Sequence, residues 1–230
     1  MHYLYLKKQT HRSTPWITKF LPTIFVICGL LLIGSASLPI FFYKISHSPQ
    51  FQPLVNPLAS EKETKAVLGD NSLDLTRPAN WFAQSLNLPP RPSKITHYSL
   101  SIPKLKIEDA IVQIGGDDLK KTLVQYEGTA HPGQFGNTVI FGHSVLPQFF
   151  NPKNYLTIFS TLPTLKKKDE ILIDFDGVSY RYLIFDMVEV EPTDISVLEQ
   201  HYDDYYLTLV TCVPPGTYFR RLAVKARLTR

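Results

Sequence analysis

Three side-chain types, spread over some 80 residues, supply the reactive chemistry of this chain. The run Leu207-Thr208-Leu209-Val210-Thr211-Cys212 is apolar and β-branched, so it reads as a strand that carries a thiol to its tip. Nine residues later, Arg221-Leu222-Ala223-Val224 opens a second short apolar strand with an arginine. The segment Asn137-Thr138-Val139-Ile140-Phe141-Gly142-His143 ends in a histidine in a similar setting. A free thiol with a pKa near ~8.5 is only slightly ionised at neutral pH, and a nearby cation raises the thiolate fraction. Once a thiolate attacks a carbonyl, the oxyanion needs donors, which an arginine or backbone N–H groups provide. The departing amine needs a proton, which a histidine gives at physiological pH. Cys212, His143 and Arg221 therefore cover nucleophile, general acid and oxyanion support. That set suits breaking and remaking peptide bonds.

Each residue also has a structural reading. Cys212 could be a small buried hydrophobe, His143 a capped strand end, and Arg221 the partner of a surface carboxylate. Arg220 could take either arginine role. Strand alternation sends Arg220 and Arg221 to opposite faces, so only one can face the thiol.

The chain that must position these residues has 230 of them and a net charge of +4. Its Lys and Arg are scattered; clusters such as Lys166-Lys167-Lys168 are too short to argue for nucleic acid. Residues 20–43 hold no charged side chain and exceed the ~20 residues that cross a bilayer as a helix. Lys7, Lys8, Arg12 and Lys19 precede them, which keeps residues 1–19 in the cytoplasm and sends the remainder outward. Ser35-Ala36-Ser37 resembles a signal-peptide cleavage site, yet the apolar run continues through Leu38, Ile40, Phe41 and Phe42, favouring an uncleaved anchor. Of the two cysteines, Cys28 lies in that span. Cys212 is then the exported part's one thiol, with no disulfide partner there.

Residues 44–94 carry seven prolines and no sustained periodicity, the composition of a spacer. Within it Trp81, Phe82, Leu86 and Leu88 form a short apolar face suited to packing on the domain or covering a cleft. From residue 95 the pattern is short strands: 98–102, 107–114, 138–141, 170–175, 178–191, 206–211 and 222–228. Asp176-Gly177 signals a two-residue hairpin. Helical material is expected to be sparse: Asp117–Val124, a turn or two near Tyr155–Leu165, and Asp194–Gln200. So many strands in ~135 residues imply a closed or nearly closed β-barrel, because open edges invite aggregation.

These residues resemble the sortases, membrane-anchored cysteine transpeptidases of bacterial surfaces. The resemblance runs from about Tyr98 to Leu228 and rests on four stretches. They are Ser101-Ile102-Pro103-Lys104-Leu105, the segment from Gly128 through Pro132-Gly133-Gln134-Phe135-Gly136-Asn137 to Gly142-His143, Thr208-Leu209-Val210-Thr211-Cys212, and Arg221-Leu222-Ala223-Val224. It implies an eight-stranded barrel with short helices, behind one transmembrane helix. It implies that Cys212 attacks the Thr–Gly-like bond of a sorting signal of LPxTG type in a secreted protein, forming a thioester. An amine such as a peptidoglycan precursor then resolves it and anchors the protein at the cell surface. His143 is the implied acid and base, Arg221 the group holding substrate and oxyanion, and Thr211 a residue shaping the oxyanion site.

Lys168-Asp169-Glu170 replaces the family's usual Lys-Gly-Asp, which alters a turn. The pre-barrel segment Arg77-Pro78-Ala79-Asn80-Trp81-Phe82 lacks the Asp-Pro-aromatic pattern of pilin-type members, and the chain ends at Arg230, directly after the last strand and without those members' second span. A general anchoring enzyme is the expectation. No cofactor is expected, and no metal ligand set: His131 and His143 have no zinc-type companions. Calcium on Glu108, Asp109, Asp117 or Asp118 is conceivable but not indicated. The order His143 then Cys212, with Thr211 before the cysteine, argues against papain-like hydrolases and L,D-transpeptidases. The non-enzymatic alternative is an inactive barrel serving as a surface scaffold or adhesion module.

Overall fold

The computed structural model describes residues 16–46, 51–53, 74, 76–81, 88–89, 91 and 93–229. The chain divides into two units, residues 1–38 and 39–230. Helix α1 spans Trp16–Ser46. Its stretch Phe20–Ser46, 27 residues with mean hydropathy 2.4, is long and apolar enough to cross a membrane. Phe25, Leu31 and Leu32 stand exposed along it, an arrangement that suits lipid rather than water. Of the basic residues expected to orient it, Lys7, Lys8 and Arg12 lie outside the described residues.

Strand β1 is only Gln52–Pro53. Eight further strands form the barrel: β2 (His97–Ile102), β3 (Ile107–Ile114), β4 (Leu123–Gln125), β5 (Gly136–Phe141), β6 (Glu170–Phe175), β7 (Val178–Val190), β8 (Tyr205–Val213) and β9 (Arg220–Leu228). The sheet order is β1-β7-β6-β2-β3-β4-β5-β8-β9, and pairing of β7 with β9 closes it. Pairs β3–β4 and β5–β8 are parallel and the other barrel pairs antiparallel, so the barrel is mixed. The Asp176-Gly177 hairpin forms as expected, both residues having positive φ (53° and 74°), as a type I′ turn requires.

One expectation needs correction. Leu123–Gln125, partly inside the helix expected over Asp117–Val124, is the eighth strand. Asp118 accepts a hydrogen bond from the Lys120 N–H, folding the preceding residues into a turn before a helix can start. The segment from Tyr155 to Leu165 is mostly turns, with one 3₁₀ turn at Leu162–Thr164. The third expected helix exists as a 3₁₀ turn, Ile195–Leu198, capped by the Asp194 side chain on Ser196 N–H.

Part of the Pro-rich segment packs on the barrel. Phe51 is buried, Gln52 and Pro53 pair with Val188 and Glu189, and Pro78–Asn80 form a 3₁₀ turn that ends at buried Trp81. Tyr43 is also buried, its hydroxyl donating to Glu189. Phe82 and Leu86 lie outside the described residues.

Apolar side chains fill two layers. Leu100, Ile173, Leu207, Leu209, Leu222 and Val224 belong to the core within the barrel. Val139, Phe141, Val190, Val210, Cys212 and Ala223 belong to a second buried cluster, completed by Leu119, Val197, Leu198 and Trp81. Strand β8 is buried on both faces from Leu207 to Val213. That is why its sequence is a continuous apolar run rather than an alternating one.

Candidate active site

Strand pairing gathers the three reactive side chains. Cys212 on β8 lies directly opposite Arg221 on β9. On the other side of β8, the parallel register with β5 pairs Phe141 with Val210. The chain stays bonded to β8 beyond that pair. Gly142 N–H donates to Val210 O at 3.1 Å, and Ser144 Oγ donates to Cys212 O at 2.8 Å. His143, held between these two anchors, is thereby placed beside Cys212, two residues beyond Phe141 as Cys212 is two beyond Val210. Strands lie about 4.8 Å apart and side chains alternate in twos. The imidazole and thiol thus share a face, with the guanidinium on the thiol's other flank.

Gly142 explains the spacing before the histidine. A Cβ there would meet the Phe159 ring at 2.3 Å and Leu123 at 2.7 Å, so only glycine lets the chain pass this close. Thr211 points away from Cys212 and donates its hydroxyl to Gly142 O at 2.9 Å. Its side chain thus secures the histidine-bearing segment.

The two arginines are clearly separated. Arg220 bonds Glu191 at 2.6 Å and faces Glu189 at 3.9 Å. Arg221 is 0% exposed and, among the described residues, has no carboxylate within ion-pair reach. Its Nη1 donates to Tyr218 O at 2.9 Å and Nη2 to Trp81 O at 2.9 Å, while its Nε–H is buried without a partner. Removing an unpaired cation from water costs several kcal/mol. The protein offsets this with carbonyl dipoles and the Trp81 ring, 5.4 Å from the guanidinium carbon.

Trp81 is 1% exposed and meets Phe141 edge-on at 5.3 Å. Of the apolar face noted in the spacer, Trp81 thus joins the buried cluster that holds Cys212. Cys212 itself is 2% exposed. Burial pushes its thiol above the ordinary value, and the Arg221 charge opposes that shift. Burial likewise pulls His143 below its ordinary value, with the charge of Lys120 acting in the same direction. The covered site therefore holds a neutral thiol and a neutral imidazole next to a buried cation.

Of the four carboxylates considered for calcium, two are engaged separately: Asp118 with Lys121 at 3.2 Å, Asp117 with Arg77 at 3.9 Å. Among the described residues no three His, Cys, Asp or Glu side chains gather around a common point. The sequence reading missed Ser144, Tyr218 and the Trp81 carbonyl as supports. Nothing in their residue types marks them, since two of the three act through backbone oxygens.

Comparison with known proteins agrees with this geometry. Residues 100–229 match the model of the sortase domain. The chain is 24% identical to Sortase D of Bacillus subtilis (strain 168) over 199 residues, covering 85% of this chain and 89% of that protein. A lid mutant of sortase A from Corynebacterium diphtheriae superposes with a TM-score of 0.51 at 28% identity, over 61% of this chain and 73% of that one. A Clostridium perfringens sortase D5 transpeptidase has the same fold, with a TM-score of 0.51 at 22% identity over 86% of this chain and 99% of that one. With the domain model spanning more than half of its residues and nearly all of the barrel, the chain belongs to the sortase family.

Proposed function

We propose that the chain is a cysteine transpeptidase, anchored in the cell membrane by α1 with its barrel outside. It cleaves an LPxTG-like sorting signal in secreted proteins and passes the acyl group to an amine. The Cys212 thiolate attacks the carbonyl carbon of the Thr–Gly-like bond, and Arg221 with backbone N–H groups stabilises the oxyanion. His143, having taken the thiol proton, gives it to the departing amine, leaving a thioester. An amine acceptor such as a peptidoglycan precursor then attacks that thioester. His143 takes the acceptor's proton, the new amide forms, and Cys212 leaves as a thiol.

One observation carries this reading: a buried guanidinium with no carboxylate partner among the described residues, directly across the ladder from the unpaired cysteine. A scaffold barrel has no use for such an uncompensated cation, whereas an oxyanion or thiolate completes it. The Trp81 contacts describe a covered site, so this segment has to swing away before a peptide reaches the sulfur.

The test is a peptide-library screen with the full chain in detergent and an added amine, read by mass spectrometry. Products joining the amine to the acyl half of one motif, lost in Cys212→Ala, are the expected outcome. No cleavage of any motif, or cleavage that persists in Cys212→Ala, contradicts it.

A further inference from the structure

The thiol's face of the sheet carries a second cavity, further down the strands. It has a volume of about 220 Å³ and is lined by Thr208 on β8, Lys225 and Arg227 on β9, Phe185 and Asp186 on β7, and part of the β7–β8 segment. Thr208 precedes Cys212 by four residues, roughly 13 Å along β8. The Ile195–Leu198 turn belongs to the lid over the intervening part: Val197 and Leu198 pack in the same buried cluster as Val139, Val210 and Cys212. The cavity is therefore separate from the covered thiol.

Its charges are unevenly matched. Asp186 is bonded to Lys167 at 3.2 Å, and Glu199 faces His201 at 3.8 Å. Arg227 holds Asp204 at 3.2 Å, and its guanidinium carbon lies 5.4 Å from the Phe185 ring and 5.3 Å from the Tyr206 ring. Lys225 is different. By strand register it stands between Thr208 and Asp186, half-buried, yet among the described residues its ammonium has no carboxylate within 4 Å. The Thr208 hydroxyl beside it already donates to Asn137 Oδ1 at 2.8 Å, so the charge available for an anion is that of Lys225 alone. Next to it an irregularity in the β7–β9 ladder leaves Phe185 40% exposed, giving the cavity an apolar wall.

We propose that this cavity binds a single carboxylate attached to a small apolar or aromatic body. Lys225 holds the carboxylate, and the Phe185–Tyr206 wall holds the body. The volume suits a group of amino-acid size rather than a drug-sized molecule, whose sites run to several hundred Å³. Two sources share this chemistry: a free small organic acid, and an acidic side chain beside an aromatic one in a polypeptide.

Calorimetry on the full chain in detergent separates them. The probes are 3-phenylpropionate with its amide as control, and acetyl-Phe-Glu-amide with acetyl-Phe-Gln-amide as control. At least one acid should bind tenfold or more tightly than its neutral control. Lys225→Met should abolish that preference and Lys225→Arg should keep most of it. Preference confined to 3-phenylpropionate identifies a free acid as the occupant, and preference for the Glu peptide identifies a polypeptide. Equal affinity of acids and controls in the unmodified chain, no binding of either acid, or a preference that survives Lys225→Met overturns the proposal. Cys212→Ala should bind as the unmodified chain does, so this result stands or falls separately from the transfer chemistry.

Discussion

Replacing Trp81 by alanine tests whether the covered thiol is a gated one. The ring is buried against Phe141 and beneath the Arg221 guanidinium. Truncating a buried tryptophan costs about 3–5 kcal/mol where nothing refills the space. If the undocked state exposes the ring anyway, most of that loss falls on the docked state alone. At 1.4 kcal/mol per factor of ten, a loss of about 3 kcal/mol raises the uncovered population roughly a hundredfold, until uncovering saturates. Uncovering also returns water to the sulfur and removes part of the burial that holds its pKa up. The assay is the rate of Cys212 modification by a methanethiosulfonate at pH 7.5, with the modified peptide identified by mass so that Cys28 does not contribute. Trp81→Ala should label at least tenfold faster than the unmodified chain, and Trp81→Phe should fall between them. Melting curves for both variants guard against simple unfolding. A labelling rate within twofold of the unmodified chain, with the fold intact, would refute the gating argument.

Arg221→Ala should lower transfer about 10²- to 10³-fold, the usual loss for one oxyanion donor. Arg220→Ala, which breaks only the bonds to Glu191 and Glu189, should cost less than tenfold; equal losses in a peptide-transfer assay would mean the wrong arginine faces the sulfur. Because burial raises the Cys212 pKa and Arg221 lowers it, labelling of the unmodified chain should still be climbing at pH 9. In Arg221→Gln that climb should move to higher pH, and a plateau already reached by pH 8 contradicts the assignment. Gly142→Ala pushes a methyl into Phe159 and Leu123, an overpacking worth about 1–3 kcal/mol; a melting temperature unchanged within 1 °C would show that the space is not filled. Lys168 adopts φ 77° at the turn before β6, a left-handed conformation that costs a non-glycine residue about 1–2 kcal/mol, so Lys168→Gly should raise the melting temperature by a few degrees.

Much of this site was legible because strand chemistry writes itself into sequence. The apolar, β-branched run of β8 read as a strand with the thiol at its tip; the strand forms and runs one residue past the cysteine, to Val213. Alternation alone said that Arg220 and Arg221 diverge, and the ion pairs of Arg220 set against the carbonyl partners of Arg221 bear that out. What stayed hidden was non-local or carried by the backbone. Leu123–Gln125 is too short to show a period, and it becomes a strand only because β3 and β5 flank it. Trp81 was visible as an apolar residue in a spacer, but nothing local said that its carbonyl would meet a guanidinium 140 positions away. Lys225 showed only a charge inside a strand pattern; that no carboxylate among the described residues pairs with it depends on its ladder neighbour Asp186 being bonded to Lys167.

Everything chemical here depends on the sulfur of Cys212 becoming the acyl carrier. The direct measurement is the intact mass of the full chain, quenched in acid while turning over a cleavable sorting-signal peptide without added amine. The account predicts an adduct equal to the acyl half of the peptide, located on Cys212 by fragmentation, released by hydroxylamine and absent in Cys212→Ala. Peptide turnover with no adduct under these conditions, or with the acyl group on another residue, would contradict it.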